Sequence, residues 1–332
     1  MMQMVHSRFN ALLSACVLSL IATAGWSQYL TWLGTLPGYN RGSIAWGVSD
    51  DGFVAVGWAE NAAWQRRAFR WENGVMQDLG ALPGANESEA WGVSADGSVV
   101  VGMARNAAGQ ARAFRWTAFL GMQALGTLGG NRSAAYAVSD DGAAVVGWAE
   151  NAAGQRRAFR WTIVGMQDLG TLPGYDWSLA RGVSRDGDVV VGWAVNPIGL
   201  DRRAFRWTAF RGMQELYTAG NDWSEAHAVS ADGSVVVGWA GNIDRSRAFR
   251  WRPEVGVTED LNATYASLLT NGSVLTGAVA ISPDGRYIVG EGYNAATRRF
   301  EAFLLDTVPE PASLMALSAG LVGLLLRRRS KQ

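Results

Sequence analysis

"RAFRW" stands at residues 67–71 and returns at 112–116, 157–161, 203–207 and 247–251. The intervals are 45, 45, 46 and 44 residues. A catalytic motif serves one site and occurs once. A unit that recurs every ~20–50 residues marks stacked supersecondary modules, none of which can bury its apolar face alone. Within the motif a strand's two-residue period puts Arg67, Phe69 and Trp71 on one face and Ala68 and Arg70 on the other.

Working outward, three more elements recur around this one. Upstream lie "SIAWGVS" (43–49), "SEAWGVS" (88–94), "SAAYAVS" (133–139), "SLARGVS" (178–184), "SEAHAVS" (224–230) and "TGAVAIS" (276–282), here called A. Element B follows as "FVAVGW" (53–58), "SVVVGM" (98–103), "AAVVGW" (143–148), "DVVVGW" (188–193), "SVVVGW" (234–239) and "RYIVGE" (286–291). RAFRW is element C, with a worn sixth copy in "EAFLL" (301–305). Element D is "VMQDLG" (75–80), "GMQALG" (121–126), "GMQDLG" (165–170), "GMQELY" (212–217) and "GVTEDL" (256–261). Short Val-rich and aromatic runs between turn residues read as strands. Asp-Gly separates A from B in all six copies, as at 51–52 and 141–142, and predicts a tight hairpin with positive φ at both central residues. A calcium loop at Asp50-Asp51-Gly52 is a poor alternative, because calcium takes about six to eight oxygens.

Four strands per repeat predict an all-β, six-bladed β-propeller of about 45-residue four-stranded repeats. Elements A, B and C each occur six times, but only five D elements follow a C. The missing one is expected at the other end, where "YLTWLG" (29–34) precedes the first A. The sequence therefore predicts a ring over 29–306 closed by the N-terminal strand. The longer link 262–275 has room for a short helix.

Composition narrows the function. There are 29 basic and 29 acidic residues, with Lys331 the only lysine, so no basic surplus points to nucleic acid. The only cysteine, Cys16, precedes the repeats, so the body is held by packing without an internal disulfide.

Both ends read as addresses. Residues 1–28 have a basic Arg8, an apolar run over 11–22 and small residues at Ala22 and Ala24, the pattern of a secretory signal peptide with its cleavage site. "LSAC" gives a lipoprotein-like alternative at Cys16, but the apolar stretch before it is short. The start is open between Met1, Met2 and Met4. Segment 307–332 carries Val308, Pro309, Glu310 and Pro311, then an apolar run over 312–326, then Arg327, Arg328 and Arg329. The run is shorter than the ~20 residues of a comfortable span. Basic residues favour the cytoplasmic side, which leaves the body outside. An ordinary tail anchor is the alternative. The three parts in order resemble the PEP-CTERM sorting signal of Gram-negative bacteria. The resemblance implies a membrane-embedded exosortase as partner, transient anchoring in the inner membrane, and delivery to the cell surface or the medium.

The repeat as a whole resembles the extracellular HAF repeat family. That family has a His-Ala-Phe at the start of strand C, a G-M-x-D-L-G run and an S-x-A-x-x-I-N/S run. Here Arg67, Arg112, Arg157, Arg203 and Arg247 stand in place of the histidine, and Glu301 in the sixth copy. The likeness covers 29–306 and implies a secreted repeat protein, with no activity to carry over.

No catalytic constellation, cofactor loop or metal set is visible in the sequence. His227 is the one histidine of the body, at the repeat position also held by Trp46, Trp91, Tyr136 and Arg181. These five varied residues are the expected binding face, if they line an open side. The expected function is a non-catalytic binding or scaffold module of the cell surface or extracellular matrix. The resemblance to PEP-CTERM systems, which are associated with exopolysaccharide export, implies exopolysaccharide or another surface protein as partner. The alternative is a hydrolase or lyase acting on such a polymer. RAFRW itself reads as structural, with its aromatics between sheets and its arginines paired to Asp78, Asp168, Glu215 and Asp260 or stacked on tryptophan.

Overall fold

The computed structural model describes residues 30–308, apart from 197, 199–200, 219–222 and 243–244. The four recurring elements each become one strand. The first sheet contains β1 (Gly42–Val48), β2 (Val54–Glu60), β3 (Arg66–Glu72) and β4 (Val75–Asp78) in chain order. The second contains β5 (Glu87–Val93), β6 (Val99–Arg105), β7 (Ala111–Thr117) and β8 (Gly121–Gly126). The third contains β9 (Gly129–Val138), β10 (Val145–Asn151), β11 (Arg156–Thr162) and β12 (Gly165–Asp168). The fourth contains β13 (Trp177–Val183), β14 (Val189–Val195), β15 (Arg202–Thr208) and β16 (Gly212–Glu215). The fifth contains β17 (Trp223–Val229), β18 (Val236–Gly241), β19 (Arg247–Trp251) and β20 (Thr258–Asp260). The sixth has three strands, β21 (Val274–Ile281), β22 (Tyr287–Asn294) and β23 (Arg299–Asp306). All neighbouring strands are antiparallel, as short connections require. The link before the sixth sheet does hold a short helix, α1 (Leu261–Thr264), capped by the Asp260 carboxylate.

The turn between A and B is longer than a two-residue hairpin. Between β1 and β2 the Gly52 N–H donates to the Ser49 oxygen, and among the two turn residues only Gly52 has positive φ, at 75°. The Asp51 carboxylate accepts from the Ser49 hydroxyl at 2.6 Å and from the Phe53 N–H at 3.0 Å. The acid thus holds its own turn, and the expected pair of positive φ angles is replaced by one.

The alternation in RAFRW decides how sheets stack. At the second junction Phe159 of β11, fully buried, packs with Val145 and Ala149 against Val99, Val101 and Ala113 of the preceding sheet. The small alanine of one motif makes room for the next motif's phenylalanine. Phe69, Phe114, Phe159, Phe205 and Phe249 are all buried, each contributing about 1.5–3 kcal/mol. Trp161 is only half-buried at the edge of this cluster, so the expectation of a fully buried tryptophan holds for Trp116 and Trp207 instead.

Three polar clips repeat at the junctions. The buried serine of element A accepts from the alanine N–H of the previous RAFRW: Ala68 to Ser88 at 3.0 Å, Ala113 to Ser133 at 3.0 Å, Ala158 to Ser178 at 2.8 Å and Ala204 to Ser224 at 2.9 Å. The second arginine donates to the glycine oxygen of the next sheet's Asp-Gly turn, as Arg70 does to Gly97 at 2.9 Å and Arg115 to Gly142 at 3.4 Å. Finally, main-chain N–H groups link turn to turn: Asp50 to Ala95, Ala95 to Asp140, Asp140 to Arg185, Arg185 to Ala231 and Ala231 to Pro283. Of the expected arginine–carboxylate pairs, Arg203 meets Glu215 at 3.3 Å. Asp78 and Asp168 instead accept from the N–H groups of Gly80 and Gly170, and Asp260 caps α1. Arg206 lies over the Trp251 ring at 5.6 Å, the stacking alternative.

The first and last sheets each leave one face open. Ala45 of β1 is exposed, whereas Ala90, Ala135, Ala180, Ala226 and Ala278 at the same repeat position are fully buried. Ala302 of β23 is exposed, whereas its counterparts Ala68, Ala113, Ala158, Ala204 and Ala248 are buried. Residues 30–34 form no strand, so the fourth strand expected for the sixth sheet is not formed among the described residues.

Candidate functional site

The varied residue of element A is a β-bulge in every sheet. Pairing between β1 and β2 jumps at Trp46, between β5 and β6 at Trp91, and between β9 and β10 at Tyr136. It jumps again at Arg181, His227 and Val279. A bulge leaves one residue out of the ladder and re-aims its side chain. It also pushes a carbonyl onto the facing strand. A β-carbon on Gly147 would lie 2.0 Å from the Ala134 oxygen, and one on Gly192 would lie 1.9 Å from that of Leu179. This close approach is why "VVGW" keeps its glycine.

Four of the bulge residues form a continuous strip across neighbouring sheets. The Trp91 and Tyr136 rings lie 5.1 Å apart at 30°. The Arg181 guanidinium sits 4.7 Å over Tyr136 and 5.7 Å over Trp193. Trp193 then meets His227 edge-on at 6.1 Å. Trp148 donates its indole N–H to the Tyr136 hydroxyl at 3.1 Å. Cations over aromatic faces are held by the ring quadrupole, and tilted ring pairs by its edge-to-face attraction.

At its far end the strip opens on a cleft of about 420 Å³ between the fifth and sixth sheets, lined by His227, Trp239, Val279, Glu291 and Phe300 among others. His227 faces the buried Glu225 carboxylate at 3.2 Å, which also accepts from the Trp239 indole at 3.3 Å and pairs with Arg202. Burial pushes the Glu225 carboxyl up, but His227 and Arg202 outweigh it and hold it below the ordinary range. The arrangement offers aromatic surface, fixed cations and a committed carboxylate.

Of the expected binding face, Trp91, Tyr136, Arg181 and His227 are brought together. Trp46 is exposed and stands outside the strip. Sequence reasoning missed the second row, Trp148, Trp193 and Trp239, together with Glu225. Its signal was the residue after each "VG" of element B, tryptophan in four copies and Met103 and Glu291 in the other two. Val308 is exposed beyond the last strand. Ala22, Ala24, Pro309, Glu310, Pro311 and Arg327 to Arg329 lie outside the described residues. Among the described residues no helix is long and apolar enough to cross a membrane.

Residues 307–329 match the model of the PEP-CTERM protein-sorting motif. The chain carries an exosortase sorting signal. It is thus an exported bacterial protein, processed at the membrane, with an exosortase as partner. No curated protein matches it. Among solved structures it is similar to one from a study of two prolyl endopeptidases, with TM-score 0.53 and 13% identity over 86% of this chain and 46% of that one. It is also similar to TolB from Acinetobacter baumannii, with TM-score 0.47 and 15% identity over 65% of this chain and 53% of that one. A putative TolB from Agrobacterium tumefaciens gives TM-score 0.46 and 16% identity, over 70% and 81%. Such likeness concerns the propeller-like fold alone.

Proposed function

We propose that the exported body is a non-catalytic binding or scaffold module of the Gram-negative cell surface or matrix, associated with exopolysaccharide. The observation that carries this reading is the strip Trp91–Tyr136–Arg181–Trp193–His227 running into the cleft. A long, half-exposed aromatic strip with interspersed polar groups suits an extended polymer better than a small metabolite. A glycan array probed with the full chain tests it. Binding to extended polysaccharides is expected; an array with no glycan bound sinks the reading. One observation favours a hydrolase or lyase instead: His227 and Glu225 face each other at the cleft. The Glu225 carboxylate, however, is already engaged by His227, Arg202 and Trp239. Release of new chain ends from a bound glycan would move the assignment to the enzyme.

The body is proposed to be a HAF-like repeat domain over 29–306 that closes into a six-bladed ring, with 29–34 as fourth strand of the sixth sheet. Exposed Ala45 and Ala302 support it, because every other copy of those positions is buried between sheets. Leu36 supports it too: it is buried against Ala59 and Phe69, as Leu82 of the next linker is buried against the second sheet. Deleting 29–34 should lower the thermal midpoint well beyond the effect of trimming a loose terminus. A fall of a degree or two refutes the latch. Replacing Pro309-Glu310-Pro311 with alanines should block processing in the native host, read by intact mass. Mature protein that still carries Arg327 to Arg329 would argue for a lasting anchor.

A further inference from the structure

We infer that the strip recognises carboxylated polysaccharide, with Arg181 and Arg156 as its anion-binding groups; the inference rests on the glycan reading above. At two other junctions an arginine at the start of strand C meets an acid 23 residues on. Arg66 reaches Glu89 at 3.0 Å, and Arg202 pairs with Glu225. At the junction between the third and fourth sheets the same arginine is Arg156, and the acid's position is held by Leu179. Arg156 instead lies 4.5 Å over Trp148 and 5.3 Å over Trp177. Arg181, exposed on the neighbouring bulge, likewise rests on rings alone, Tyr136 and Trp193. Neither guanidinium meets a carboxylate among the described residues.

The acid stands only at Glu89 and Glu225, and where the arginine is kept without it, at Arg156, tryptophan rings take its place. The Trp148–Tyr136 hydrogen bond ties the two arginines' platforms together. Held over rings rather than paired to an acid, each guanidinium keeps N–H donors for a planar, bidentate acceptor, the geometry of a carboxylate. Sugar rings in the same polymer would lie on the flanking Trp91 and on the cleft. A polymer with a carboxylate on each or every second sugar supplies repeated anions to the two cations.

The test uses the full chain and a panel of polygalacturonate, alginate and hyaluronate, each paired with its methyl-esterified, uncharged form. Tryptophan fluorescence and calorimetry read binding. At least one acidic polymer should bind tenfold or more tighter than its ester, with affinity falling as salt rises. Arg181→Gln should remove most of that difference, lowering affinity for the acid far more than for the ester, and Arg181→Lys should keep part of it. Leu179→Glu restores the missing acid and should weaken acidic-polymer binding several-fold without removing any residue of the strip. Equal affinity for acid and ester overturns the inference and leaves the glycan reading standing. Loss of both by Arg181→Gln at an unchanged thermal midpoint also overturns it. Failure of the wild-type chain to bind any polymer of either kind overturns both.

Discussion

The Nε of Arg160 donates to the main-chain oxygen of Gly187 at 2.7 Å, across the junction between the third and fourth sheets. Arg206 reaches the Gly233 oxygen through Nη2 at 3.4 Å. The second arginine of RAFRW thus reads the next repeat's Asp-Gly turn, 27 residues on, in the first four copies, while in the fifth Arg250 turns to Glu259 and the Tyr265 hydroxyl. In the sixth copy the position is Leu304, and Pro283 has no N–H to extend the turn-to-turn chain. Of the three clips, the sixth sheet receives the turn-to-turn link, from Ala231 to Pro283, and does not pass it on.

Arg160→Ala should therefore weaken one junction. A hydrogen bond from a charged donor, half-screened here, contributes about 1–2 kcal/mol. Chemical denaturation should show that loss. The equivalent change at Arg250, which binds Glu259 at 2.7 Å and the Tyr265 hydroxyl at 3.2 Å, should cost more, because this guanidinium is buried and holds two partners, although Arg252 keeps Glu259 paired.

Ser178 is fully buried, accepts from Ala158 N–H at 2.8 Å and donates to the Gly170 oxygen at 2.5 Å. Ser178→Ala removes one small hydroxyl and leaves two buried main-chain groups unpaired. A loss of about 2–3 kcal/mol is expected. An unchanged denaturation midpoint would show that the clip is dispensable.

Phe159→Ala should cost about 3–5 kcal/mol, since the ring is wholly enclosed between sheets. Trp161→Ala, two residues along the same face and half-buried, should cost roughly half as much. The reverse order in calorimetry would contradict the packing described above.

Gly147→Ala places a β-carbon 2.0 Å from the Ala134 oxygen. The bulge must then flatten or the strands part, at about 3 kcal/mol. Flattening would re-aim Tyr136, so Arg181 should lose its platform and glycan affinity should fall with stability. Retained affinity in a folded Gly147→Ala protein would detach the bulge from binding.

Acid should unfold the body through its turns. Asp51, Asp96, Asp141, Asp186, Asp232 and Asp284 are each held below the ordinary carboxyl value, first by a serine hydroxyl and then by a main-chain N–H. A carboxyl lowered in the folded state binds fewer protons there than in the unfolded chain. Its stabilisation is complete above the unfolded value of about 3.9 and is lost as pH falls through the folded value. Stability should thus drop steeply below about pH 4. Asp141→Asn should make that drop shallower, and identical pH profiles for the two proteins would contradict this account.

The recurring RAFRW, the count of A, B and C elements and the two-residue alternation were enough to determine six β-sheets and the face on which each phenylalanine is buried. Strand periodicity and repeat length are local properties, and they survive in a linear string. The sorting signal is legible for the same reason: Pro309, the apolar run and Arg327 act in order along the chain. The Asp-Gly turns were legible as turns, but their form was not, because Ser49 and Asp51 replace the second positive φ with side-chain hydrogen bonds. Tertiary structure alone decided the rest. A bulge is a mismatch between two strands, so no property of Trp91, Tyr136, Arg181 or His227 by itself announces one. The serine and arginine clips join residues 20 and 27 apart across sheets. The free charge of Arg156 depends on which side chain the next sheet presents, and there the neighbour is Leu179 rather than an acid.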